Sequence, residues 1–176
     1  MNVELTNGFR NSMIAGIVIQ IAVLLKNSTE QSKEFPLKMI GGIPAKVLFA
    51  LGWLAFALSV AKEGNDKKGM IALIGALSIV VGVFYVKFQM KSGKTPNPMI
   101  AMLFPIGWLI TALGIWYNNK GPLKNLSWVG TGMILVSMMK ILPWQRKHGV
   151  VGGGGYNLFT MAWVLLALAN GVKRIN

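Results

Sequence analysis

Of the 176 residues none is cysteine, one is histidine and five are acidic. Without cysteine there is no disulfide, no thiolate metal site and no thiol nucleophile. The single histidine, His148, sits in the basic stretch "QRKH", and one imidazole cannot build a metal site without carboxylate partners. The five acids, Glu4, Glu30, Glu34, Glu63 and Asp66, all fall outside the long apolar stretches. An intramembrane protease needs a Ser–His or His/Asp/Glu set at depth, and proton-coupled transport usually needs an ionisable residue there. Neither is available. "VVGGGG" at 150–155 reads as a flexible link. It lacks the strand–loop–helix setting and the Lys-Ser/Thr ending of a phosphate-cradling loop. These absences point away from an enzyme and away from any cofactor or metal.

What is present is apolar. The chain is 53% hydrophobic, yet it carries 18 basic residues and a net charge of +13. In a soluble protein that excess would suggest nucleic acid. Here the basic residues are segregated into short polar segments. Between them run stretches with no acid or base, at 11–25, 47–61, 69–86, 99–117, 125–139 and 156–172. About 20 apolar residues cross a bilayer, and shorter runs can do so with snorkelling or local thinning. The expectation is an all-α integral membrane protein with six transmembrane helices in a single domain over 1–176. Two spans are short. The first has an apolar core of Met13 to Leu25 interrupted by Gln20, and could instead lie in the interface. The fifth requires Lys140 to snorkel past Pro143 and Trp144.

A motif recurs. "LFALGWLAFALS" at 48–59 returns as "LFPIGWLITALG" at 103–114 and "LFTMAWVLLALA" at 158–169, a step of 55 residues both times. Leu, Phe, Trp, Ala and Leu are common to all three copies, and three of the six tryptophans stand in register. Each copy is expected to open an even-numbered span. "SMIA" at 12–15, "GMIA" at 69–72 and "GMIL" at 132–135 are weaker likenesses in the odd spans. The chain therefore reads as three helical hairpins, approximately 9–62, 69–117 and 126–172. Two spans per unit make the copies parallel, and parallel repeats are related by an axis along the membrane normal. A pseudo-threefold bundle follows.

The motif is a packing motif. Its fifth and twelfth positions are small: Gly52 and Ser59, Gly107 and Gly114, Ala162 and Ala169. Seven residues are two helical turns, so each pair shares a face. Membrane helices associate where small residues let backbones approach. Phe49 with Trp53, Phe104 with Trp108, and Phe159 with Trp163 stand at i and i+4 on an adjacent face. The plain reading is that these rings fill the space beside the close contact. The sharper alternative is that three tryptophans line a central ligand site.

The ends of the spans carry interfacial signals. Trp116, Tyr117, Trp128 and Trp144 fit an aromatic belt. Pro44 and "PNP" at 96–98 are placed to start even spans, and "GPLKN" at 121–125 reads as a tight turn. The sequons at Asn27–Thr29 and Asn125–Ser127 abut opposite membrane ends. Eight basic residues fall on the side of the N-terminus: Arg10, Lys62, Lys67, Lys68, Lys120, Lys124, Lys173 and Arg174. Ten fall opposite: Lys26, Lys33, Lys38, Lys46, Lys87, Lys91, Lys94, Lys140, Arg146 and Lys147. Ten against eight favours an outward N-terminus only slightly; the firmer inference is that both faces are basic.

The functional expectation is a non-enzymatic structural or scaffold protein with multiple passes, a subunit of a larger membrane-associated assembly. Its partners would be the bilayer with its anionic headgroups, other membrane or shell proteins, and further copies of itself. Nucleic acid would meet the basic loops only non-specifically. The internal membrane of a large virion is one setting with such partners on both faces. The alternative is a passive channel or facilitator for small solutes, lined by Gln20, Ser59, Ser78, Thr111, Thr131, Ser137 and Thr160. These residues do not recur with the motif, which favours an axis closed by side chains, with the polar groups bonded to helix backbones.

Overall fold

The computed structural model describes residues 3–31, 35–63 and 66–174, with side chains at 29–43, 63–68, 87, 90, 91 and 174 outside the described set. The basic side chains of Lys33, Lys38, Lys67, Lys68, Lys87, Lys91 and Arg174 therefore lie outside it. The described chain is almost wholly helical: β1 (Val3–Leu5), α1 (Asn7–Gln31), α2 (Phe35–Glu63), α3 (Asp66–Lys91), the single turn α4 (Pro98–Ala101), α5 (Leu103–Asn118), α6 (Leu126–His148), α7 (Gly153–Gly171) and β2 (Val172–Arg174). The two strands pair antiparallel, with Val3 opposite Arg174 and Leu5 opposite Val172. Strands of three residues are too short to show alternation, so the sequence reading contains none.

Five helical segments are long and apolar enough to cross a membrane: Asn7–Ser28, Pro44–Lys62, Gly69–Val86, Pro98–Asn118 and Leu126–His148. The expected count was six. The first and fifth, which looked short in sequence, both qualify. The last, α7, is not among the five, because glycines at its start and Asn157 and Asn170 dilute its apolar run. Large apolar side chains are exposed on most helices, among them Ile17, Ile21, Leu51, Ile74, Leu77, Leu109, Val136 and Met161.

Several helix boundaries differ from the expectation. Pro44 does not start a helix. It lies inside α2, which begins at Phe35 with Pro36 in the first turn, where a missing N–H costs no bond. The first motif copy thus falls in the second half of its helix and the third begins five residues into α7; only the second opens a helix, at Leu103. Before it, the Asn97 side chain caps α4 by accepting from the Met99 N–H at 2.9 Å, with Pro98 next in line, as the "PNP" sequence implied. α6 passes through Pro143 and ends at Gly149, whose φ of +75° is the left-handed geometry glycine adopts freely. Arg146, Lys147 and His148 in that last turn complement the helix dipole. The glycines at 153–155 are the first turn of α7 and not a link. Gly155 is needed for packing, since a Cβ there would stand 2.8 Å from Lys140 Cβ and 2.9 Å from the Ser137 carbonyl oxygen.

The most extensive helix contacts are α1 with α2, α3 with α5 and α6 with α7. Further contacts join α2 to α3, α5 to α6 and α7 back to α1, and the motif-bearing α2, α5 and α7 also touch one another. Burial recurs along the flanking helices. Residues 11–23 and 71–83 have the same succession of buried, half-buried and exposed positions, and 126–138 depart from it only at Trp128. Ser12 thus matches Ala72 and Ser127, Ala15 matches Gly75 and Gly130, and Ile19 matches Ile79 and Ile134. The "SMIA", "GMIA" and "GMIL" likeness is therefore out of register, because the first pair of helices is separated by five more residues than the others.

The small positions lie at backbone-to-backbone crossings. A Cβ on Gly52 would meet the Ala15 carbonyl oxygen at 3.1 Å, and one on Gly107 would lie 2.7 Å from both the Gly75 oxygen and the Ile79 nitrogen. A Cβ on Gly114 would lie 2.7 Å from Ala72 Cβ and nitrogen. Because backbone cannot swing aside as a side chain can, Gly107→Leu is expected to destabilise the fold by about 1–3 kcal/mol or more through overpacking. Ala162→Ser, a smaller change at a position already carrying a Cβ, should cost less. Unfolding of the two variants in detergent checks this; a Gly107→Leu protein as stable as wild type would refute the close contact.

Candidate functional site

The three motif copies converge. In each, the same columns are buried: Gly52, Trp53, Phe56, Ala57, Ser59 and Val60 in α2; Gly107, Trp108, Thr111, Ala112, Gly114 and Ile115 in α5; Ala162, Trp163, Leu166, Ala167, Ala169 and Asn170 in α7. At the centre the indoles of Trp53, Trp108 and Trp163 meet, with relative exposures of 1%, 0% and 3%. Ring centroids are 4.4 Å apart for Trp53–Trp108, 4.9 Å for Trp53–Trp163 and 6.4 Å for Trp108–Trp163, all at interplanar angles of 72° or more. Such edge-to-face packing is favoured because a positive ring edge meets a negative face. Each indole also touches the phenyl ring four residues before it, at 6.3 Å for Phe49, 6.4 Å for Phe104 and 6.0 Å for Phe159. Phe56 adds a contact at 4.7 Å to Trp163. The rings fill the centre with one another.

The three indole N–H groups are treated differently. Trp163 Nε1 donates to the Ser12 carbonyl at 2.9 Å across the α1–α7 contact, where Gly16 leaves room for the ring. Trp53 Nε1 and Trp108 Nε1 are buried without an oxygen or nitrogen acceptor. Perpendicular ring packing offers such groups the π face of a neighbour, a weaker partner than a carbonyl.

Beside this centre a polar seam runs the length of the α1–α7 contact. At one end the β1–β2 pair is joined by Thr6 N–H donating to the Gly171 carbonyl at 2.8 Å. Next, Asn170 Nδ2 donates to Ser12 Oγ at 2.9 Å, to Ser59 Oγ at 3.2 Å and to the Gly8 carbonyl at 3.3 Å. Ser59 Oγ itself donates to that carbonyl at 3.2 Å, and the two serine hydroxyls are 3.3 Å apart. Midway, Gln20 donates to Thr160 Oγ1 at 3.2 Å and accepts from the Tyr156 hydroxyl. At the far end Asn27 Nδ2 donates to the Val151 carbonyl at 2.7 Å and its Oδ1 accepts from the Val151 N–H at 2.9 Å. Asn119, buried at the end of α5, donates to the Ala169 carbonyl and accepts from the Gly121 N–H at 2.7 Å.

The sequence reading named Gln20 and Thr160 only as uncharged polar residues, Ser59 also as a small packing position and Asn27 only as part of a sequon, and assigned no role to Asn170, Ser12 or Asn119. Asn170 was visible as an amide inside an apolar stretch, which is a reason for attention. The remaining candidates for a polar lining are tied to their own helices: Ser78 donates to the Ile74 carbonyl at 2.9 Å, Thr111 to Gly107 at 2.8 Å and Ser137 to Ile134 at 2.6 Å. Thr131 Oγ1 is buried without a partner.

At the span ends the aromatic residues are partly exposed and locally bonded. Trp116 Nε1 donates to Asn125 Oδ1 at 3.0 Å, and Lys124 Nζ lies 4.7 Å from the centre of its ring. Trp144 stacks on His148 with centroids 4.1 Å apart. Both sequon asparagines, Asn27 and Asn125, are thus already engaged within the fold. Comparison with protein-family models, with curated proteins and with solved structures finds no match to the chain.

Two predictions test the seam. Asn170→Ala removes a donor shared by three acceptors, and is expected to cost about 1–2 kcal/mol, measured by denaturant unfolding in detergent. Trp163→Phe should cost about 1 kcal/mol more than Trp108→Phe, because only Trp163 gives up a carbonyl bond while the change in ring size is the same. Equal losses at the two positions would count against the assignment.

Proposed function

We propose that the chain is a structural multi-pass membrane protein, built from three parallel helical hairpins arranged about a pseudo-threefold axis that its tryptophans occupy. On this reading α7 is a sixth span, held against its neighbours by the seam that offsets its lower hydropathy. The 55-residue step, the matched burial of 11–23, 71–83 and 126–138, and the contact of the three motif helices support the arrangement.

The observation that carries the functional half is the filled centre. Conduction needs a continuous polar path, and apolar constrictions block by dewetting. The groups at the proposed axis are instead tryptophan rings 4.4–6.4 Å apart, while the hydroxyls of Ser78, Thr111 and Ser137 are bonded to backbone carbonyls of their own helices. Packing residues are what recur. The protein would act as a rigid apolar body that occupies bilayer area and presents basic loops on both faces to anionic headgroups and to acidic surfaces of a larger assembly. It would be no enzyme and would need no cofactor.

The alternative is a passive facilitator, favoured by the buried, unpartnered N–H groups of Trp53 and Trp108 and by the unpartnered hydroxyl of Thr131. Liposome flux separates the two. Purified protein is expected to pass water, small neutral solutes and monovalent ions no faster than protein-free vesicles. Flux well above that background, abolished by a bulky substitution at Thr111, would establish the channel instead.

A further inference from the structure

We propose that a groove between α1 and α2, at the end of the bundle where α1 begins, binds an anionic phospholipid. The inference rests on the membrane-spanning reading and deepens it by placing one lipid at named residues. The groove is lined by Asn11, Ile14, Ala55, Leu58, Ser59 and Lys62. α1 starts at Asn7 and α2 ends at Glu63, so Asn11 and Lys62 stand at the mouth. Ala55 is seven residues before Lys62, which places the far end about 10 Å deeper along the helix. That depth takes a glycerophosphate and the first carbons of an acyl chain.

The chemistry changes along the groove in the order a lipid would need. The mouth offers the exposed Lys62 ammonium and the half-buried Asn11 amide, both donors to a phosphate. Below them Ile14 and Leu58, each 52% exposed, form apolar walls that continue onto the exposed face carrying Ile17, Ile21 and Leu51. The groove therefore opens sideways, where an acyl chain can enter, as well as upward, where a headgroup can sit. A soluble anion would leave the apolar half unfilled, and a neutral detergent-like molecule would leave the lysine unused. Ser59 forms the floor, and its hydroxyl is held by Gly8 and Asn170, so the floor is fixed by the seam.

The arrangement does not recur at the two equivalent positions of the repeat. Fifty-five and 110 residues further on, Ala55, Leu58, Ser59 and Lys62 are replaced by Ile110, Leu113, Gly114 and Tyr117, and by Leu165, Leu168, Ala169 and Val172. At matched burial, Asn11 is replaced by Ile71 and Leu126, and Ile14 by Ile74 and Val129. If helix packing alone dictated these residues, their polarity would recur as the tryptophans and small residues do. It does not: among the described residues at the three equivalent positions, a cationic mouth over apolar walls stands between α1 and α2 and at neither of the other two.

The test uses the full chain in two steps. Flotation with phosphatidylcholine vesicles containing phosphatidylglycerol comes first, and wild type is expected to float. Native mass spectrometry of the detergent-solubilised protein then compares retention of the two lipids. Wild type is expected to retain phosphatidylglycerol in preference to phosphatidylcholine. Lys62→Gln and Lys62→Glu should each weaken that retention about fivefold or more, equivalent to roughly 1 kcal/mol for one lysine. Leu58→Trp, which fills the apolar half without touching the charge, should also weaken it. Lys120→Glu, at another loop on the same side, should not. Phosphatidylglycerol held equally by wild type and both Lys62 variants, or displaced by inorganic phosphate alone, would overturn the site while leaving the membrane reading intact. Wild-type protein that fails to float would overturn both.

Discussion

Backbone-to-backbone contact at small residues is the constraint on which the other packing depends. Between helices that share an apolar surrounding, burying leucine gains little, and attraction has to come from close van der Waals approach and from hydrogen bonds that need short reach. Gly52 against Ala15, Gly107 against Gly75, and Gly130 against the Ala162 carbonyl supply that approach in each helix pair. Once the backbones touch there, the side chain following Gly52, Gly107 or Ala162 is forced toward the interior, and in all three cases it is tryptophan. The central ring cluster is thus a consequence of the crossings. A larger residue at the crossing would push the helices apart and open the space the indoles fill.

Three helix pairs in succession leave one junction without a covalent link. The first pair is followed directly by the second, and the second reaches the third through the turn at 119–125, but α7 must find α1 across the full length of the sequence. This is the junction where polar side chains concentrate. Asn170, Ser12, Ser59, Gln20, Tyr156, Thr160 and Asn27 bond across or beside it, and the terminal strands pair at its end. Where water is excluded, a polar group gains most by finding a directed partner, so such bonds specify which helix is neighbour to which as well as adding stability. The same amide that lowers the hydropathy of α7 secures it in place.

The proposed role follows from this division of labour. Interior positions are committed to packing, outward positions are apolar on most helices, and the described charges lie toward the helix ends apart from Lys140 within α6. A body of that kind is suited to hold position in a bilayer and to meet anionic surfaces, with the α1–α2 groove as a place where a cationic mouth adjoins apolar walls.

Sequence alone determined the helical class, the apolar stretches and the recurrence of Leu, Phe, Trp and a small residue at a 55-residue step, because these depend on composition and spacing along one chain. It also indicated that small residues mark crossings, since their size has one obvious use between helices. Helix ends were less legible: Pro44 looks like a helix start, but α2 continues through it, as α6 continues through Pro143. The register of the flanking helices was only partly legible: the four-residue likeness has unequal offsets, whereas Gly75 and Gly130 keep the 55-residue step and match in burial. Only the tertiary structure decided that the tryptophans meet, that two of their N–H groups lack acceptors, and that Asn170 joins Ser12 and Ser59. Those facts depend on which helices become neighbours, and a repeat that sets the tryptophans in register does not say which faces meet or which atoms bond.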